Sequence, residues 1–89
     1  MATAYQVSAE ALSRELDGEV LVLDLRTSHY FGMTGTAARV WTLVEEGTAP
    51  DVIVDTLAAE YNAPPTTIRE DVDAFIADLI ARKLIEARP

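Results

Sequence analysis

Residues 29–41 read HYFGMTGTAARVW, and this stretch changes from strand-like to helix-like halfway along its length. Its first part, residues 29–33, is rich in aromatic side chains, as strands often are. Ala37, Val40 and Trp41 then follow at i, i+3 and i+4, the spacing of one helical face. The stretch therefore predicts a strand that leads directly into an amphipathic helix, and nothing in it resembles an active site.

Two other strand-like segments precede this stretch. Residues 5–8, YQVS, alternate apolar and polar side chains, as a half-buried strand does. Residues 19–25, EVLVLDL, follow a turn signal at Asp17-Gly18 and are rich in valine and leucine. Together with residues 29–33, these segments predict a three-stranded antiparallel meander whose third strand lies at an edge of the sheet.

The rest of the chain is predicted to be helical. Gly47 can end the first helix, and residues 48–51, TAPD, offer a hydroxyl cap and an early proline for a second. Residues 62–65, NAPP, separate it from a third helix, whose apolar stripe is Ile68, Val72, Phe75, Ile76 and Leu79. The prediction is one α+β domain over residues 1–89, a three-stranded antiparallel sheet followed by three helices, similar to a winged helix-turn-helix.

The composition of the chain disfavours some classes of binding partner. The chain has 89 residues, 49% of them hydrophobic, and a formal net charge of −8. A surface of that charge repels phosphate backbones and anionic lipids, so we expect neither nucleic acid nor membrane as a partner and favour cationic ones. The chain has no cysteine and no apolar run of the ~20 residues that a membrane helix needs, and a cytoplasmic location is expected.

The sequence offers few residues from which a conventional catalytic or metal site could be formed. One histidine and no cysteine leave few ways to assemble a nucleophile-base pair or a nitrogen- and sulfur-liganded metal. The segment GMTG at residues 32–35 is neither a phosphate loop nor a dinucleotide fingerprint. His29 is interpreted as a solvated strand residue. We therefore expect no catalytic residue, no metal and no cofactor, and a protein that is not an enzyme.

Glu70, Asp71 and Asp73 form a dense carboxylate cluster on the third helix, and three interpretations remain open. The cluster can be a solvated helix face, an acidic rim that attracts a basic partner, or a site for a hard cation. Its spacing is not that of a calcium-binding loop. The rim interpretation requires a groove beside it.

The predicted edge strand supplies such a groove. An exposed edge is an aggregation hazard unless it is short, charged, covered or used to capture another strand. Captured peptides gain backbone hydrogen bonds from the edge, while neighbouring apolar pockets select their side chains. The third helix could provide those pockets, although each of its apolar residues, taken individually, is more often core.

The ordered set of segments resembles the PqqD-like family of small peptide-binding domains. The resemblance is carried by residues 30–34, YFGMT, with the helix residues 37–41 that follow, and by residues 57–61, LAAEY. It continues through residues 71–79, DVDAFIADL, and the closing Leu84-Ile85. The family implies a recognition element for precursor peptides of ribosomally made, modified products. In that family the leader peptide adds as a strand to the third strand and lies against the third helix.

Carried onto this sequence, the resemblance implies a peptide-binding site with two walls. Residues of the third strand would hold the leader backbone, residues of the third helix would contact its side chains, and an acidic residue would stand at the rim. These residues are, in chain order, Tyr30, Phe31, Gly32, Met33, Asp71, Val72, Phe75, Ile76 and Leu79.

Within the family, the chain most resembles the leader-binding partner of a lasso-peptide leader peptidase. That resemblance implies a leader with a Tyr-x-x-Pro motif, delivered to the leader peptidase and, as a further candidate, to the macrocyclase. Three alternatives stay open: a peptide chaperone for a quinone-cofactor or radical-enzyme pathway, a dimerisation module, and a winged-helix DNA-binding protein. The acidic third helix disfavours DNA binding, because it is a poor phosphate-contacting surface.

Overall fold

Five strands and three helices make up residues 4–88, the part of the chain that the computed structural model describes. Residues 1–3 and 89 of the predicted domain lie outside these described residues. In chain order the elements are β1 Tyr5–Val7, β2 Ala11–Leu16, β3 Glu19–Asp24, β4 His29–Met33, α1 Gly35–Glu45, α2 Pro50–Tyr61, α3 Pro65–Ala81 and β5 Ile85–Ala87.

The central sheet has the order β2-β3-β4, with both neighbouring pairs antiparallel. The three helices follow the sheet in the chain, so the predicted α+β architecture is confirmed. The identity of its first strand was predicted wrongly, because that position belongs to Ala11–Leu16 and not to residues 5–8. The reason is orientation: β2 exposes Leu12 and Leu16 and turns Ser13 towards α1, where its hydroxyl donates to Glu45 at 2.8 Å.

Residues 5–8 belong instead to a second, two-stranded sheet. Within this segment β1 spans Tyr5–Val7 and pairs antiparallel with β5, so that Tyr5 lies opposite Ala87 and Val7 opposite Ile85. The backbone N–H of Ser8 donates to the carbonyl of Leu84 at 2.9 Å and extends this pairing. β1 and β5 are far apart in the sequence, so their pairing leaves no local signal. Each strand alone is also only three residues long.

The core lies between the inner face of the central sheet and the helices. Val20 and Val22 of β3 are buried, as are Val40, Trp41 and Val44 of α1, which follow the helical spacing seen in the sequence. The third helix buries Ile68, Val72, Ile76 and Leu79, whereas Phe75 is only partly buried. The predicted apolar stripe of α3 is thus core along most of its length, and Phe75 is the member left with an accessible surface.

The hydroxyl cap predicted at Thr48 is wrong. The N-cap of α2 is Ala49, which has no side chain able to accept a hydrogen bond. Thr48 belongs to the preceding helix end, since its backbone N–H donates to the carbonyl of Leu43 at 3.0 Å. Pro50 in the first position and Asp51 in the first turn still favour the start of α2, as predicted. Asp51 also accepts a hydrogen bond from Arg69 at 2.9 Å and links α2 to α3.

Candidate functional site

The free edge of β4 is the starting point of the site. Within the described residues β4 pairs on one side only, with β3, and its other side has no strand partner. Phe31 lies opposite Val22 and Met33 opposite Val20, so both side chains share the inner face of the sheet with the core. Gly32 alternates with them and leaves open space around its α-carbon.

Two adjoining cavities lie beside this edge and together form what we call the slot. The first, of about 190 Å³, lies between β4 and α3, and the second, of about 230 Å³, lies between α1 and α3. Ala37 and Phe75 line both cavities, so the two cavities are adjacent. The β4 wall and its surroundings are Phe31, Gly32, Met33 and Leu84; the α1 floor is Thr36, Ala37 and Val40; the α3 wall is Asp71, Val72, Phe75, Asp78, Leu79 and Arg82.

The α3 wall follows from helical spacing. Asp71, Phe75, Asp78 and Arg82 stand at i, i+4, i+7 and i+11, which places them in one row along the helix. Val72 and Leu79 are fully buried and form the deepest part of the α3 wall, beneath this row. Phe75 packs against the core and still borders both cavities, so it is shared between the fold and the slot.

Most of the predicted peptide-binding residues come together in the slot, and two do not. Phe31, Gly32, Met33, Asp71, Val72, Phe75 and Leu79 all line it. Ile76 is buried in the core and lines neither cavity. The side chain of Tyr30 is 65% exposed and lies on the other face of the sheet, so only its backbone belongs to the free edge.

Residues that the sequence reasoning missed complete the slot: Thr36, Ala37, Val40, Asp78, Arg82 and Leu84. Arg82 was not among the predicted peptide-binding residues, and Ala37 and Val40 were predicted only as part of the apolar face of the first helix. The i, i+4, i+7, i+11 row starting at Asp71 was the available signal for Asp78 and Arg82. No comparable signal marks Thr36 or Leu84, because their place in the slot depends on how α1 and β5 pack.

Arg82 closes one end of the slot. Its guanidinium lies over the Phe31 ring, with Cζ 5.1 Å from the ring centroid, and its Nε donates to Oδ2 of Asp78 at 3.0 Å. The backbone carbonyl of Arg82 accepts a hydrogen bond from Nη2 of Arg26 at 3.0 Å. Arg26 in turn donates its backbone N–H to Asp24 at 3.0 Å. The end of α3 is therefore tied to the β3–β4 turn.

Asp24 anchors this chain of contacts and gives it a pH dependence. The residue is 4% exposed and is the buried charged residue of the described part of the chain. Burial acts to raise its pKa, but hydrogen bonding and the positive charge of Arg26, with further hydrogen bonds from Thr27, lower the pKa below its ordinary value. A depressed pKa in the folded state means that ionised Asp24 stabilises the fold above the unfolded pKa.

We expect that stabilisation to disappear in acid, as the pH falls below about 4 and through the folded pKa. Asp24→Asn should be less stable than the wild type at pH 7, and the difference should narrow towards pH 3. Urea denaturation at both pH values measures it. The pKa of Glu60 is also lowered, mainly by its hydrogen bond from Arg39. Its stabilisation is therefore also lost in acid, and we expect this loss to be the same in the wild type and in Asp24→Asn. A difference that stays constant with pH would contradict the role of Asp24.

The acidic cluster on α3 is divided by the fold. Asp71 borders the slot, whereas Glu70 and Asp73 are exposed on the helix surface. Within residues 4–88 no group of three or more histidine, cysteine or acidic residues is arranged to hold a metal ion. No helix in the same range is long and apolar enough to cross a membrane.

The opposite face of the central sheet carries an apolar surface of its own. Leu12, Leu21, Leu23 and Tyr30 border a shallow cavity of about 310 Å³, and we call these four residues the outer apolar face. Leu23 lies directly between Leu12 and Tyr30 across the three strands. Leu12, Leu21 and Tyr30 are exposed, in a position where soluble domains usually place polar side chains.

Comparisons with known proteins agree with this architecture. The family model for coenzyme PQQ synthesis protein D (PqqD) matches residues 19–85. The structure of TbiB1 in complex with the TbiA(beta) leader peptide is similar at a TM-score of 0.88 and 36% sequence identity, over 94% of this chain and 98% of that one. Lasso peptide synthetase B1 complexed with the leader peptide shares the fold, with a TM-score of 0.83 and 24% identity over 96% and 98% of the two chains. None of the curated proteins matches the sequence.

Proposed function

The chain belongs to the PqqD family, and from that premise we propose that it binds the leader segment of a ribosomally made precursor peptide. The observation that carries this proposal is the free edge of β4 beside an apolar slot. A peptide that adds to β4 as a strand satisfies its backbone groups on the edge. Its alternate side chains then enter the slot between β4 and α3.

A lasso-peptide pathway is the assignment that we favour. Its support is the similarity to TbiB1, which was solved with a leader peptide, and the fold shared with lasso peptide synthetase B1. A Tyr-x-x-Pro motif suits the slot physically. A tyrosine ring has much apolar area and few rotamers to restrict, and a proline lowers the entropy that an extended peptide loses on docking.

In this proposal the protein binds the leader peptide in the cytoplasm and delivers it to enzymes, which carry out the chemistry. Binding the leader raises the local concentration of the attached precursor at a leader peptidase, with the macrocyclase as a further candidate. Delivery needs a second surface that stays free while the slot is filled. The outer apolar face supports this role, because a strand added to β4 would extend that face beside Tyr30 and Gly32.

The charges of α3 favour a peptide over DNA as the partner. The helix carries Glu70, Asp71, Asp73 and Asp78, and its arginine Arg69 is paired with Asp51 of α2. Arg82, at the C-cap, is paired with Asp78. Since phosphate binding depends on several unpaired basic side chains on one face, α3 is a poor recognition helix for DNA.

Calorimetric titration with leader peptides tests the proposal. A candidate leader peptide with a Tyr-x-x-Pro motif serves as the first probe, and a second peptide carries alanine in place of its tyrosine and its proline. We expect binding of the first, at least tenfold weaker binding of the second, and new hydrogen-exchange protection of β4 backbone amides in the complex. Binding that leaves β4 unprotected would refute strand addition. An absence of binding across candidate leaders would refute leader recognition.

The proposed delivery surface gives a separate prediction. Leu21 is 44% exposed, so Leu21→Glu is expected to leave the domain folded and its leader affinity within twofold. A glutamate on an apolar docking surface should slow leader cleavage by the partner peptidase at least tenfold, because the carboxylate must be desolvated there. Steady-state cleavage with and without this protein measures the effect, and Glu19→Gln on the same strand is the control. Unchanged cleavage would reject the outer apolar face as the docking surface.

A further inference from the structure

We infer that Arg82 selects an aromatic side chain in the bound peptide, at the position that lies opposite Phe31 once the peptide has added to β4. The inference rests on the proposed leader binding and specifies what one end of the slot accepts. Its basis is the placement of a flat cation above one wall of an apolar cavity.

The Arg82 side chain contacts the Phe31 ring and remains 49% exposed. Its Nε is bound to Asp78 at 3.0 Å, and a hydrogen bond of this kind lies near the guanidinium plane and leaves both faces open. The guanidinium lies over the Phe31 ring, with Cζ 5.1 Å from the ring centroid. Since Arg82 also borders the cavity between β4 and α3, its exposed part can contact a side chain that enters there.

Strand addition determines which peptide residue reaches Arg82. In the proposed complex the peptide runs antiparallel to β4. Directly opposite residues on antiparallel strands lie about 4.5–5.5 Å apart and point to the same face of the sheet. The peptide residue opposite Phe31 therefore points into the slot, beside the Phe31 ring and next to the guanidinium. The residue two positions along lies opposite Met33 instead, and enters the slot near Phe75.

The lining of this cavity favours an aromatic ring over other apolar groups. Phe31, Phe75, Leu79 and Leu84 supply apolar walls, which any large apolar side chain can fill. Only an aromatic ring gains the additional attraction between its face and a cation, which corresponds to roughly two- to thirtyfold in Kd. A lysine or arginine at this position would meet the like charge of Arg82.

Arg82 is held in place before any peptide arrives. Its carbonyl is bound by Arg26 at 3.0 Å, and Arg26 is fixed by Asp24, so the end of α3 has a defined position relative to β4. A cation that is already positioned loses little conformational entropy on binding. The competing interpretation is that Arg82 only ties α3 to the sheet, in which case its removal would weaken every peptide equally.

A peptide scan against three proteins separates these interpretations. Each residue of the TbiA(beta) leader peptide is changed in turn to phenylalanine and to leucine, and each peptide is titrated against the wild type, Arg82→Met and Arg82→Lys. The methionine variant keeps the length of the side chain and removes its charge. The lysine variant keeps the charge and removes the planar face, and it provides a second protein should Arg82→Met fail to fold in urea denaturation controls.

We expect one peptide position at which the wild type prefers phenylalanine over leucine by roughly two- to thirtyfold. In Arg82→Met that preference should fall below twofold, and in Arg82→Lys it should be reduced. A preference that survives in both variants, equal weakening of both peptides, or a scan without any such position would overturn the inference while leaving leader recognition intact. Failure of the wild type to bind any leader would overturn both.

Discussion

Changing Phe75 to aspartate is expected to lower leader affinity at least a hundredfold, or about 2.7 kcal/mol, while the domain stays folded. Phe75 lines both cavities of the slot, so a carboxylate at this position would face the bound peptide in each of them. The apolar contact of the ring is lost, and the new charge must also be desolvated by the peptide. Because Phe75 is only partly buried in the free protein, the carboxylate can remain solvated there.

The control lies on the same helix. Ile80 is 41% exposed and lines a different cavity, so Ile80→Asp adds the same charge to α3 without touching the slot. Titration calorimetry should show near wild-type affinity for Ile80→Asp, a loss of at least tenfold for Phe75→Ala, and the largest loss for Phe75→Asp. Equal affinity of Phe75→Asp and Ile80→Asp would show that the peptide binds elsewhere.

Met33 is the less suitable position for such a test, although it is the neighbouring residue of the β4 wall. Met33 is buried on the inner face of the sheet, opposite Val20, so an aspartate there would place a charge in the core. Loss of binding by that variant would report unfolding, which is why the slot is better probed at Phe75.

Trp41→Ala is expected to destabilise the domain by about 3–5 kcal/mol, the largest stability effect that we predict. Trp41 is 0% exposed and is the largest of the fully buried side chains. Small domains have only about 5–15 kcal/mol of stability, so this loss is a large part of the total. Urea denaturation followed by circular dichroism measures the loss.

A milder substitution at Trp41 distinguishes packing from hydrogen bonding. The indole Nε1 has no hydrogen-bond partner among residues 4–88 and is buried. Trp41→Phe removes this unpaired donor and keeps most of the ring, so it should destabilise much less than Trp41→Ala. If the two variants lost equal stability, the ring would not be the part of Trp41 that holds the core together.

Local patterns in the sequence predicted most of the fold. The change of period after Met33, the breaks at Gly47 and at residues 62–65, and the stripe of α3 each have a short-range physical cause, and each element is present. Two strands, β2 and β5, were not predicted from these local patterns. In β2 the exposed residues include leucines, which reverses the usual pattern, and β5 exists only because β1 reaches it across the whole domain.

The candidate site was predictable in outline and not in detail. An edge strand and an amphipathic helix were enough to place Phe31, Met33 and Phe75 on opposing walls. Alternation along β4 then decides which side chains face the slot, and it turns Tyr30 to the outer face. Arg82 needed the structure, because its role depends on the Phe31 ring beneath it and on its tie to Arg26.

The pairing of β1 with β5 makes the two ends of the described chain neighbours. The backbone N–H of Arg88 donates to the carbonyl of Ala4 at 2.9 Å, so a linker of a few residues could join these ends. New termini could then be opened at the exposed Asp17-Gly18 turn, where β2 and β3 meet. In such a circular permutant the slot residues from Phe31 to Leu84 remain in one uninterrupted segment. The order of the chain and the geometry of its binding slot are thus separable, and the domain is suited to insertion within a larger protein.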